Sequence, residues 1–147
     1  MSTGGRTTPP AAARDASVEK VEGGLPPGWR GAFTQIGAAR FPSLGHAAGR
    51  WSASVWANAA AREAIEAPDA SLPVGAAFVQ EHFELAGDGG AGPVMMMEKR
   101  APGFDPDHGD MRWVVVTASG ETAHDGPAPS CSGCHDDAPR DRYFPIH

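Results

Sequence analysis

Val74-Gly-Ala-Ala-Phe-Val-Gln-Glu-His-Phe-Glu-Leu85 sets the pattern that neighbouring segments extend. Its Phe, Val and Leu residues give it strand character, and successive side chains of a strand point to opposite faces. One face carries Phe78, Gln80 and His82, and the other carries Val79, Glu81, Phe83 and Leu85. The stretch therefore predicts a β-strand with two chemically different faces.

Two more strands are predicted directly after this one. The Gly-rich run 87–92 turns the chain into Pro93–Arg100, a second segment of strand character. Residues 104–110 have the composition of a turn, and Arg112–Ala118 is a β-branched run around Trp-Val-Val-Val. Three successive strands joined by short connections that contain Gly or Pro predict an antiparallel sheet.

The preceding segments predict further strands and a helix. Trp51–Asn58 alternates as a strand, and Asn58 is a good N-cap for a helix over Ala59–Ala67 that Pro68 ends. An earlier strand is predicted at Gly31–Gly37. The expected fold class is mainly β, of the α+β type, with an antiparallel sheet and one or two short helices.

The composition excludes several classes of protein. A chain of 147 residues is long enough for one domain, and its 19 Gly and 14 Pro exclude a four-helix bundle. A net charge of -6 argues against nucleic-acid binding, which needs a basic surface. No apolar run approaches the roughly 20 residues of a membrane span. Two cysteines are too few for a disulfide scaffold or a four-cysteine zinc site.

The first 27 residues differ in composition from the rest. Met1–Pro27 is rich in Gly, Thr, Pro and Ala, so it cannot bury enough apolar surface to offset the entropy of ordering it. It also lacks the basic and apolar regions of a secretory signal. We expect a flexible, disordered arm, followed by one domain over residues 28–147.

The most specific motif is Cys131-Ser-Gly-Cys134-His135, the C-x-x-C-H signature of haem c attachment. Two thiols three positions apart can form thioethers with the two vinyl groups of one haem. The adjacent His135 is then held beneath the iron as proximal ligand. Ser130 is predicted to cap the short helix that carries His135.

Other interpretations of the motif remain open. A redox C-x-x-C normally precedes a long helix in a βαβ unit, whereas only twelve residues follow His135, and Pro139 is among them. A zinc site would need more ligands, and a plain disulfide is compatible with an exported protein. Haem c is favoured over these, and because it is attached outside the bacterial cytoplasm, it implies a periplasmic or otherwise exported protein. The lack of a recognisable secretory signal in Met1–Pro27 conflicts with the expected export.

A wider set of residues resembles the cytochrome P-460 family and its relative cytochrome c′-beta. The resemblance covers most of Trp29–His147. It rests on Gly75-Ala-Ala-Phe-Val-Gln-Glu81, Met97-Glu-Lys-Arg-Ala-Pro-Gly-Phe-Asp-Pro-Asp-His-Gly-Asp110, Trp113, the C-x-x-C-H motif and Asp141-Arg-Tyr-Phe144. It implies a mainly antiparallel β fold around one haem c, usually five-coordinate, that oxidises hydroxylamine or binds nitric oxide. Relatives are often homodimers.

Two departures from the family pattern narrow the expected function. Gln80 stands where catalytic members have a lysine cross-linked to the porphyrin, and Met95 stands near the position of their distal carboxylate. Both changes disfavour hydroxylamine oxidation and favour an open or apolar distal face that takes up nitric oxide for sensing, scavenging or detoxification. An electron-transfer cytochrome with Met95 or Met97 as sixth ligand, served by a redox partner protein, is the further alternative.

The remaining candidates carry weaker signals. Phe78 and Gln80 are expected to lie with Met95 and Met97 on the distal side, although Phe and Met there are equally compatible with ordinary core. Arg140 and Arg142 are candidates for haem propionates. His46 lies in a predicted loop, where a surface position is favoured over a hydrogen bond to a propionate or a ligand. His82 is expected to face either solvent or the pocket, and His108, His124 and His147 are expected at the surface.

Overall fold

Six antiparallel strands form one sheet in which spatial order follows chain order. In the computed structural model the described residues are 24–43, 46, 51–67, 71–85 and 89–138. The strands are β1 (Thr34–Pro42), β2 (Trp51–Ala57), β3 (Ala77–Glu84), β4 (Ala91–Lys99), β5 (Met111–Val116) and β6 (Thr122–Gly126). The predicted mainly β, antiparallel fold is therefore confirmed. Most of the predicted arm, residues 1–23, lies outside the described residues.

Short helices accompany the sheet. The described part of the chain holds α1 (Trp29–Ala32), α2 (Ala59–Ile65), α3 (Pro129–His135) and a 3-10 turn (Pro106–His108). Asn58 caps α2 as predicted, because its side-chain oxygen accepts a hydrogen bond from Ala61 N at 3.0 Å. The helix ends at Ile65, two residues before the predicted end. The described residues thus form three α-helices, whereas the sequence predicted one or two.

The alternation predicted for β3 runs through the whole sheet. Phe78 lies opposite Met97, which lies opposite Trp113, and these three side chains point to one face. The residues between them form an equivalent row on the other face: Trp56, Val79, Met96 and Val114. We call the first the α3 face and the second the α1 face, after the helix that packs on each.

The α1 face is closed by the segment just before β1. Trp29 and Phe33 pack on the row of Val79 and Met96, and Leu25 joins them. The predicted strand at 31–37 was therefore wrong at its start: residues 29–32 form a helical turn, and the strand begins at Thr34. Apolar burial of Trp29 explains the difference, since a turn lays its indole on the sheet.

Residues at the end of the predicted arm belong to the folded domain. Gly24 N donates to Asp125 Oδ2 at 2.6 Å, and Arg112 Nη2 donates to Gly24 O at 3.1 Å. Arg112 also contacts the Asp125 carboxylate at 2.6 Å, so these groups join the chain before α1 to β5 and β6. The folded domain thus begins at least four residues before the predicted boundary at residue 28.

The α3 face holds the larger apolar cluster. Its buried members come from four strands, α2, the segment between α2 and β3, and the approach to α3: Val55, Ala57, Ala61, Ala64, Leu72, Ala76, Phe78, Met97, Met111, Trp113 and Ala128. Cys131 packs against this cluster from α3. The cluster therefore positions the C-x-x-C-H helix over the sheet.

Candidate functional site

The two cysteines and His135 lie on α3, where local sequence explains the helix. Pro129 occupies the first turn, which suits its fixed φ and missing N–H. The N-cap is Ala128 and has no side-chain cap, so the predicted capping role of Ser130 was wrong. Cys131 is half-buried and Cys134 is exposed. One helical turn separates the thiols, and His135 follows at the end of the helix.

The thiols are not joined in a disulfide. Burial raises the pKa of the Cys131 thiol above its ordinary value, and the neighbouring Cys134 acts in the same direction. A redox C-x-x-C activates its first thiol by lowering this pKa. The environment of Cys131 therefore does not show the lowered thiol pKa that is typical of a redox C-x-x-C motif.

His135 lies against the sheet through an aromatic contact. The ring centroids of His135 and Trp113 are 4.6 Å apart with an interplanar angle of 51°. Trp113 is 4% exposed, and its indole Nε1 finds no hydrogen-bond acceptor within the described part of the chain. A buried N–H without a partner is costly, so this position is suited to a further acceptor group beside His135.

The four predicted distal residues share the α3 face but differ in burial. Phe78 and Met97 are 7% and 6% exposed and belong to the apolar core. Gln80 and Met95 are Cα partners in the next row and are half-buried, as is Val115 beside Met95. The sheet thus has a row of buried side chains beneath His135, formed by Phe78, Met97 and Trp113. The neighbouring row, formed by Gln80, Met95 and Val115, is only half-buried.

A polar network surrounds Gln80, although this surface was expected to be apolar. Gln80 Nε2 donates to Ser43 Oγ at 3.0 Å and lies 3.2 Å from ring nitrogens of both His46 and His82. His46 Nδ1 lies 3.1 Å from His82 Nε2, and their rings meet edge to face. The surface position expected for His46 was therefore wrong, because three side chains hold it on the α3 face.

Burial keeps both imidazoles of this network uncharged near neutral pH. Desolvation, assisted by the nearby His82 and His135, lowers the pKa of His46 to about 4. Desolvation also lowers the pKa of His82, against the opposing effect of its hydrogen bond to Pro93 O. The influence of His135 on His46 means that the motif histidine and the network lie close enough to interact.

Other sequence candidates have structural partners or lie outside the described residues. His108 Nδ1 contacts Asp136 Oδ2 at 2.6 Å, which raises the pKa of His108 and links the 3-10 turn to the end of α3. His124 contacts the carbonyl oxygens of Gly126 and Pro127. Arg140, Arg142 and His147 are not among the described residues.

The donor set fits covalent haem better than a metal ion held by side chains alone. Within the described ranges no group of three His, Cys, Asp or Glu residues is placed to hold a metal. By contrast, two thiols one turn apart, an adjacent imidazole and a Trp113 N–H that has no acceptor among the described residues are compatible with a bound porphyrin. Gly133, between the thiols, has no atom within 4 Å of the position a Cβ would take, so this side of α3 is open.

Comparison with known proteins adds no identification. No protein-family model matches the chain, and a search of curated proteins returns no match. Among the described residues, no helix has the length and apolar character needed to cross a membrane.

Proposed function

We propose that this chain is an exported mono-haem c protein that binds a small nitrogen oxide such as nitric oxide. Cys131 and Cys134 carry the haem through thioethers, and His135 is its proximal ligand. One observation carries the proposal: the C-x-x-C-H motif lies on a helix that sets His135 against a buried Trp113 whose indole N–H has no acceptor among the described residues.

The residues of the α3 face have separate tasks in this proposal. A bound haem would supply an iron at which a small ligand can bind. Phe78 and Met97 would keep water from the buried row beneath His135, and Trp113 Nε1 would be available to donate to an acceptor on the cofactor. Gln80 cannot form the lysine cross-link of hydroxylamine-oxidising relatives, because an amide nitrogen is not a nucleophilic amine.

Covalent attachment is the first test. The full chain is directed to the periplasm of a host that matures c-type cytochromes, and a denaturing gel is stained for haem. We expect a stained band for the native sequence and for Ser132→Ala, and none for the double variant Cys131→Ala/Cys134→Ala. Mass spectrometry that finds bare thiols and no cofactor mass on the secreted native chain would overturn the proposal.

Ligand binding is the second test and separates the alternatives. The reduced protein is titrated with nitric oxide and followed optically, and hydroxylamine turnover is measured with an electron acceptor. We expect nitric oxide uptake at one equivalent per chain and no turnover. Sustained hydroxylamine oxidation would instead favour the enzyme, and failure to bind nitric oxide would favour an electron carrier with a redox partner protein.

A further inference from the structure

The network beside Gln80 determines which nitrogen of His82 carries the proton. His82 is 1% exposed, and its Nδ1 lies 2.9 Å from Pro93 O. A carbonyl oxygen only accepts hydrogen bonds, so the His82 proton is on Nδ1. No carboxylate contacts His82 among the described residues, and a buried imidazole without one is neutral. His82 Nε2 is therefore an acceptor.

His46 lies next to this acceptor. Its Nδ1 is 3.1 Å from His82 Nε2 and within 3.3 Å of Gln80 Nε2 and Ser43 Oγ. When His46 carries its proton on Nδ1, His82 Nε2 can accept it in a hydrogen bond, and the Nε2 lone pair of His46 is then available to a metal. Metal-binding histidines show this pattern, because they commonly donate their other N–H to a fixed acceptor that orients the ring.

The position of His46 matches this chemistry. Its partners Gln80 and His82 project from the α3 face, the face on which His135 contacts Trp113. His135 also contributes to the lowered pKa of His46, in agreement with their placement on one face. His46 is half-buried and lies between β1 and β2 rather than inside a strand.

We propose that His46 is a displaceable sixth ligand of the haem iron, which binds through Nε2 while His82 accepts its Nδ1–H. The inference rests on the proposed haem attachment. It replaces the methionine ligand considered from the sequence, and it means that an external ligand must compete with His46 for the iron.

Spectroscopy of the haem-loaded protein tests the assignment. The ferric native protein and Met95→Ala are expected to be six-coordinate and low-spin, whereas His46→Ala becomes predominantly high-spin. Added imidazole should restore the low-spin spectrum of His46→Ala. A haem-loaded native protein that is high-spin, or a His46→Ala variant that stays low-spin, overturns the inference and leaves haem attachment intact. Absence of bound haem counts against the proposed function instead.

Ligand kinetics provide a test that does not depend on a variant. Cyanide binding to the ferric native protein should reach a limiting rate at high cyanide concentration, because His46 must leave first. His46→Ala should bind cyanide at least tenfold more tightly, and His82→Phe should shift affinity in the same direction by weakening the hold on Nδ1. A native rate that rises linearly with cyanide concentration would show an open iron and refute the proposal.

Discussion

The two faces of the sheet differ in the hydrogen bonding of their buried polar side chains. On the α1 face the buried Glu81 carboxylate accepts from Trp56 Nε1 at 3.0 Å and pairs with Arg30. On the α3 face Trp113 Nε1 finds no acceptor in the described residues. A fully paired buried network serves stability, whereas a buried donor without a partner is costly. The two indole N–H groups thus differ: that of Trp56 has an acceptor, and that of Trp113 has none among the described residues.

Substitution of two adjacent methionines on β4 should give the largest difference between the faces in the free energy of unfolding. Met96 is 2% exposed among the apolar side chains of the α1 face, whereas Met95 is half-buried on the α3 face. We expect Met96→Ala to lower the free energy of unfolding by about 3 kcal/mol through loss of burial and creation of a cavity. Met95→Ala should cost about 1 kcal/mol or less. Urea denaturation measures both, and equal costs would break the comparison.

Gly92 offers a more local test of the α3 face. A Cβ built on this glycine would lie 2.7 Å from the Trp51 ring and 3.2 Å from His82 Cβ. Gly92→Ala is therefore expected to destabilise the fold by about 2 kcal/mol through overpacking and to displace His82. The matched control is Gly133→Ala, where no atom lies within 4 Å of the new Cβ. Thermal unfolding of the pair checks the prediction, which fails if Gly92→Ala is the milder change.

Acid should weaken the α3 face more than the α1 face. Burial lowers the pKa of His46 from 6.5 to about 4, so between these values the unfolded chain binds the extra proton. The contribution of a neutral His46 to the free energy of unfolding is therefore fully present above about pH 6.5, and it is lost as the pH falls towards 4. We expect His46 to account for about 1 kcal/mol of the loss at pH 5, since solvent partly screens a half-buried group.

The measurement is the free energy of unfolding at pH 7.5 and pH 5, determined by chemical denaturation. The loss between the two values should be smaller in His46→Ala than in the native chain. Glu81→Gln on the α1 face serves as the control, and this variant should retain the native loss. If the free energy of unfolding of His46→Ala fell as much between these pH values as that of the native chain, burial of His46 would not explain the effect of acid.

The smallest expected effect concerns the motif helix itself. Ser132 is 1% exposed, and its Oγ finds no hydrogen-bond partner in the described part of the chain. Ser132→Ala removes a desolvated hydroxyl and should leave the free energy of unfolding unchanged or raise it by about 0.5 kcal/mol. Haem staining should be retained. A loss above 1 kcal/mol, measured by urea denaturation, would mean that the hydroxyl is paired after all.

Local patterns predicted those features that depend on nearby residues. The alternation of Trp51–Asn58 and of the stretch around Phe78 predicted which side chains share a face, and Asn58 predicted the start of α2. The start of β1 was missed because Trp29 gains more by packing on the α1 face than residues 29–32 gain in a strand. The position of His46 on the sheet was not predicted, because its partners Gln80 and His82 are more than 30 residues away.

The amino-acid sequence alone determined the sheet class, the two-faced strands and the C-x-x-C-H motif, because period-two patterns and a pentapeptide require only near neighbours. Only the tertiary structure decided what surrounds that motif. Strand register set Trp113 under His135, and the return of the chain after β1 brought His46 to His82. Such contacts depend on how distant segments are packed together, which no local pattern encodes.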